Sequence, residues 1–134
     1  MSVRNGKFKI PGFLCLVSLL FGCLVIPCAA EEEFPAMTTY YLVMLIKGPN
    51  RGQSTEEAEQ IQKQHIAHLE SMGKAGKMVL AGPLTDDGFI RGLCVYKVET
   101  LAEAKSLAEQ DPAVKSGRLA VEVHPWLVQK GILP

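Results

Sequence analysis

Two Ser/Thr-x-x-Glu motifs set the frame of this chain: Ser54 with Glu57, and Thr100 with Glu103. In such a box the hydroxyl caps the backbone N–H three residues on and the Glu reaches back, so each motif opens a helix. After the first, Ala58, Ile61, His65, Leu69 and Met72 recur at three-to-four spacing until Gly73 and Gly76 break the pattern. After the second, Leu101, Ala104, Leu107 and Ala108 form a shorter stripe that stops near Asp111 and Pro112. Strand-like segments surround both helices. Tyr40 to Ile46 is an apolar run ended by Lys47, Gly48, Pro49 and Asn50. Met78 to Ala81, closed by Gly82 and Pro83, and Phe89 to Val98 form a hairpin about the turn residues Asp87 and Gly88. Leu119, Val121 and Val123 alternate with Ala120, Glu122 and His124 up to Pro125, the mark of a half-buried strand.

The order β-α-β-β-α-β places this domain among α+β proteins of ferredoxin-like topology. Its two right-handed crossovers give a four-stranded antiparallel sheet with both helices on one face. The other face has no cover within the chain, so a homodimer is expected, with a second subunit supplying the missing layer.

The first 30 residues have another composition. Arg4, Lys7 and Lys9 precede the apolar stretch Ile10 to Ile26, and Cys28, Ala29 and Ala30 place small residues before an acidic run at Glu31. That is a secretory signal pattern, giving residues 1–30 as a signal peptide, 31–38 as a disordered linker and 39–134 as the domain. A secreted or periplasmic location is expected. The competing reading is an uncleaved membrane anchor, since Ile10 to Ile26 spans 17 residues. Lipidation at Cys23 is a lesser alternative. Cleavage before Glu31 leaves Cys94 as the domain's only cysteine, so no disulfide within the chain is expected, and Cys94 reads as a buried small hydrophobe. It also removes three basic residues, leaving 14 − 3 = 11 against 14 acidic ones, a formal charge of −3. Nucleic acid is not expected as a partner.

Several segments carry a resemblance. His65, followed by the run Gly76-Lys77-Met78-Val79-Leu80-Ala81-Gly82-Pro83, resembles the YciI (YCII-related) family, whose members pair a helix-one His with a G-x-x-x-x-A-G-P strand. Arg91-Gly92-Leu93, Glu103-Ala104, Asp111 to Gly117 and Trp126 look like the same family in the same order. The resemblance implies a dimeric α/β-barrel arrangement and a cleft containing the helix-one His and an Asp, for which Asp111 is the candidate. One branch of the family is similar to a dehydrochlorinase of chlorinated hydroxyquinols, which implies acid-base chemistry on this scaffold. The amino-terminal signal departs from the family pattern.

Two readings stand for His65. Helical spacing puts it on the inward stripe with Ile61 and Leu69, where a buried imidazole is either a hydrogen-bonded core residue or, at a cleft, a general acid or base. Asp111, at an expected helix end before Pro112, is either a turn-forming residue or a carboxylate that orients His65. Arg91 either binds an anionic substrate or pairs with Glu122 across strands. His68, three residues after His65, lacks a third strong ligand, so no metal is expected. Asp86 and Asp87 read as turn residues, and His124 as facing solvent or a subunit seam. No phosphate loop, nucleotide fingerprint, zinc spacing or nucleophile elbow is present, and no cofactor is expected. The function that follows is binding of a small organic molecule, with proton transfer by His65 and Asp111. The alternative is a non-catalytic dimeric interaction domain.

Overall fold

Ser54 caps its helix as its spacing demands. In the computed structural model, which describes residues 35–134, its hydroxyl accepts from the Glu57 N–H at 3.2 Å and its own N–H donates to the Glu57 carboxylate at 2.9 Å. The helix so opened, α1 (Thr55–Lys74), follows strand β1 (Met37–Lys47). Next come β2 (Met78–Pro83), β3 (Ile90–Tyr96), α2 (Leu101–Glu109), the short α3 (Pro112–Lys115) and β4 (Leu119–Gln129). The strands form one antiparallel sheet in the order β2-β3-β1-β4. This is the βαββαβ arrangement expected of the chain. The signal peptide expected over residues 1–30, and residues 31–34 of the linker, lie outside the described residues.

The main core lies between the sheet and the helices. Tyr41, Val43 and Leu45 of β1 and Cys94 and Tyr96 of β3 alternate onto the face that packs against Ala104, Leu107 and Ala108 of α2 and against Leu69 and Met72 of α1. A second, smaller cluster on the opposite face joins Tyr40, Val95 and Val128 with Leu42, Val79 and Leu133. The chain end turns back over this face, and the Tyr40 hydroxyl donates to the carbonyls of Leu133 at 3.3 Å and Pro134 at 3.0 Å.

Four local features depart from the expectations. β1 begins at Met37, ahead of the expected domain start, because Met37 and Thr38 pair with Gln129 and Val128 of β4. β4 continues past Pro125 to Gln129; it is an edge strand, and one side of an edge strand needs no N–H. Thr100 caps α2 through the Glu103 N–H at 3.1 Å, but the Glu103 carboxylate meets Lys77 Nζ at 3.0 Å, so only half of that box forms. Finally, the segment after α2 turns into α3, with Asp111 as its N-cap and Pro112 in its first turn.

The loop after β1 and the loop before β4 meet backbone to backbone. Gly48 N–H donates to Arg118 O at 3.1 Å and Asn50 N–H to Gly117 O at 2.9 Å, while Gly117 takes a φ of +73°. A Cβ at Gly48 would overlap the Gly117 carbonyl oxygen. Gly48→Ala is therefore expected to cost about 1–3 kcal/mol, read as a lower midpoint in urea unfolding, whereas Gly52→Ala, where an added Cβ meets nothing, leaves the midpoint in place.

Candidate functional site

A 20-residue helix that buries a single side chain usually buries an apolar one, yet in α1 that residue is His65. The stripe Ala58-Ile61-His65-Leu69-Met72 turns His65 inward, and burial obliges its ring to find a partner. Its Nδ1 lies 2.6 Å from Oδ2 of Asp111, a carboxylate only 2% exposed. Asp111 is held in turn by its own backbone: as N-cap of α3, its Oδ1 accepts from the Ala113 N–H at 2.8 Å. The correction to the sequence reading is one of position. Asp111 does not end α2 against an unfavourable helix dipole; it starts α3, where the free N–H groups favour a carboxylate. The turn role and the orienting role, read as alternatives, are both filled by one side chain with two oxygens.

A carboxylate only accepts, so Nδ1 of His65 carries the proton and donates it to Asp111. In the neutral ring Nε2 is then the unprotonated nitrogen. Nε2 has no hydrogen-bond partner among the described residues and is not a sealed, unsatisfied atom, so it opens on the cleft that His65 lines. The arrangement can take a proton at Nε2, with the resulting imidazolium paired to a buried carboxylate.

The cleft measures about 380 Å³, the size of a small organic molecule. Leu45, Ile66, Leu69 and Leu119 give it apolar walls, and Ala81, Gly82 and Pro83 of β2 line it as well. Arg91 lines it too. The register of β1 against β3 passes from Leu45 with Gly92 to Ile46 with Ile90, so Arg91 is the extra residue of a β-bulge, a device that re-aims a side chain. The expected alternative, a cross-strand pair of Arg91 with Glu122, does not form: β1 lies between β3 and β4, and Glu122 stands opposite Met44. Arg91 Nη1 instead donates to the Asp86 carbonyl at 2.9 Å and the Gly88 carbonyl at 3.4 Å. Asp86 thus serves as part of a turn.

His68 turns to a different partner from His65. Its Nε2 donates to Leu107 O at 3.1 Å, satisfying a carbonyl in the last turn of α2. Among the described residues no group of three or more His, Cys, Asp or Glu side chains comes together. His124 lies half-exposed on β4, 3.9 Å from Glu122. Two charged cleft residues escaped the sequence reading, Arg51 and Arg118. They sit in the two loops joined at Gly48 and Gly117, and the alternation of small turn residues there was the only signal available.

Cys94 borders the cleft but is 1% exposed, and burial, reinforced by the charge of Asp111, pushes its thiol from an ordinary 9.0 up to about 12. Burial also pushes the Tyr96 phenol up, with Cys94 and Asp111 adding to the effect. Both groups keep their protons in the fold at pH values where the unfolded chain sheds them. Stability from this source is therefore intact below about pH 9 and falls toward pH 12, by up to about 1.4 kcal/mol per pH unit for each group. Chemical denaturation repeated between pH 7 and 11 is expected to show this loss, and a thiol reagent at pH 8 is expected to label Cys94 only as fast as the protein unfolds.

The fold has a counterpart among solved structures, and the sequence has relatives. A 5-chloro-2-hydroxyhydroquinone dehydrochlorinase from Burkholderia phenoliruptrix, solved in complex with 2,5-dihydroxybenzoquinone, superposes with a TM-score of 0.50 at 24% identity, over 65% of this chain and 92% of its own. An uncharacterized protein of Haemophilus influenzae is 31% identical over 96 residues, 65% of this chain and 95% of that protein. The model of the YCII-related domain matches residues 39–127, a span that holds most of β1 and of β4, every element between them, His65, Asp111 and the cleft arginines. By that match this chain belongs to the YCII-related domain family.

Proposed function

We propose that the cleft binds a small organic molecule and that His65 transfers a proton there, with Asp111 holding the imidazole in its reactive tautomer. The observation that carries this reading is the 2.6 Å bond from Nδ1 of His65 to the buried Asp111 carboxylate, which leaves Nε2 turned to the cleft. In the step itself a proton passes from a C–H or O–H of the ligand to Nε2. The electron pair stays on the ligand, and His65 becomes an imidazolium beside Asp111. The structurally similar dehydrochlorinase, solved in complex with 2,5-dihydroxybenzoquinone, supports a search among phenols and enolisable acids.

A thermal-shift screen of that panel tests the reading. At least one compound is expected to raise the melting temperature of the wild type, by an amount that grows with concentration. His65→Ala is expected to stay folded and lose that shift. Asp111→Asn presents an amide N–H to Nδ1, reverses the tautomer and is expected to lower the proton-transfer rate by about 10²-fold or more while costing about 1–3 kcal/mol of stability. A His65→Ala chain that unfolds, with Asp111→Asn leaving the rate unchanged, returns the pair to a purely structural role.

The domain is also proposed to pair with a second copy of itself through the sheet face away from the helices. On that face Leu80 and Trp126 are 51% and 43% exposed, although their register partners Val95 and Tyr40 are buried. Light scattering is expected to give a dimer for the wild type and a monomer for the Leu80→Glu/Trp126→Glu double variant; a monomeric wild type removes the proposal. Export is proposed from the charge and hydropathy pattern of residues 1–30, and amino-terminal sequencing of the secreted protein is expected to begin at Glu31.

A further inference from the structure

Arginine and lysine are distributed differently in this domain. All three arginines of residues 35–134, Arg51, Arg91 and Arg118, line the cleft, whereas none of the lysines does. No Asp or Glu lines it either. A domain whose formal charges balance, 11 basic against 11 acidic over residues 35–134, thus gathers its guanidinium groups around one cavity of about 380 Å³.

Their hydrogen bonds show what these groups are arranged for. Arg51 Nη1 donates to the Arg118 carbonyl at 3.0 Å, Arg118 Nη1 donates to Gln53 Oε1 at 3.1 Å, and Arg91 Nη1 donates to the Asp86 and Gly88 carbonyls. Every one of these acceptors is neutral. The carboxylates that form ion pairs among the described residues do so with lysines or histidines, and none pairs with an arginine. Each guanidinium is therefore anchored through one nitrogen, keeps further N–H donors and retains an uncompensated charge. Three like charges held close cost stability unless something of opposite sign completes them. The backbone is shaped to hold them there: the Gly48–Gly117 contact joins the loops bearing Arg51 and Arg118, and the β3 bulge aims Arg91.

We propose that the ligand of this cleft is a small planar oxyanion, a carboxylate or phenolate, whose oxygens are gripped by Arg51, Arg91 and Arg118. The planar fork of arginine matches paired oxygens where the point charge of lysine does not, which accounts for the segregation of the two residue types. The inference rests on the reading of the cleft as the binding site and names its substrate class. It also completes the chemistry. A proton taken by Nε2 of His65 leaves an extra negative charge on the ligand, and fixed guanidinium groups stabilise that charge as it develops.

Calorimetric titration of the full-length protein with 2,5-dihydroxybenzoate and with its uncharged methyl ester tests the inference. The acid is expected to bind at least about tenfold more tightly than the ester. Arg91→Gln and Arg118→Gln are each expected to weaken acid binding about tenfold with little effect on the ester, Arg118→Lys to restore only part of the loss, and the remote Lys97→Gln to change nothing. Equal affinity for acid and ester, acid binding that survives the Arg91→Gln/Arg118→Gln double variant, or no saturable binding of the acid overturns the inference. His65→Asn separates it from the proton-transfer reading. Acid preference retained in His65→Asn with unchanged proton transfer sinks the base and leaves the anion site; proton transfer lost in His65→Asn while the arginine variants bind the acid as tightly as the wild type sinks the anion site alone.

Discussion

A carboxylate sealed from water is the costliest group in this domain, and the arrangement around Asp111 follows from the need to satisfy it. An isolated buried charge costs several kcal/mol, and a deleted partner leaves that cost uncompensated. Asp111 meets the demand with two bonds of different origin. The Ala113 N–H belongs to its own turn and forms with α3, whereas His65 arrives from α1, 46 positions earlier in the chain. The bond therefore fixes how α1 docks against the α2–α3 junction, and His68 reinforces the docking through Leu107 O. The charge also reaches the sheet below, where it adds to the burial that keeps Cys94 and Tyr96 protonated. One acidic group thus sets helix placement and the tautomer of His65, and it adds to the burial that keeps the nearby thiol inert.

The charge of that carboxylate is on the far side of His65 from the cleft, and this geometry separates two electrostatic tasks. Behind the ring, the carboxylate accepts the Nδ1 proton and holds the imidazole in place. In front of it, Arg51, Arg91 and Arg118 present positive charge to whatever occupies the cavity. A ligand that loses a proton to His65 gains negative charge on the side where the arginines lie. The apolar walls from Leu45, Ile66 and Leu69 strengthen each interaction by excluding water.

How much of this was legible beforehand depended on whether a feature was local. Helix α1 and the four strands follow from periodicities that any reader of the chain can count, and the same spacing turned His65 inward. Its partner did not follow from spacing; Asp111 was singled out by resemblance, and its role was misassigned because Asp-Pro reads equally as a helix stop and a helix start. The short α3 was lost to that ambiguity. Pro125 ended the last strand on paper because a proline breaks a central strand, while its edge position, which excuses it, is a property of the assembled sheet. Arg91 against Glu122 failed for a similar reason: the strand order inserts β1 between them. Arg51 and Arg118 lie 67 positions apart in loops without periodicity, and only the approach of Gly48 to Gly117 brings them together.

The two faces of the sheet divide the remaining work, and the division explains why the cleft tolerates so polar a lining. Packing on the helix side is anchored by Val43, Tyr96 and Ala104, each at most 1% exposed, and none of these lines the cleft where the arginines gather. The opposite face is only partly closed by the chain end, which Tyr40 ties down through Leu133 and Pro134. Leu80 and Trp126 stay uncovered beside that tie. Burying them against a second copy would add apolar area to a domain of modest size without touching the cleft. Stability can then be drawn from the face that carries no chemistry, leaving the other free to hold clustered like charges that a self-sufficient core would select against.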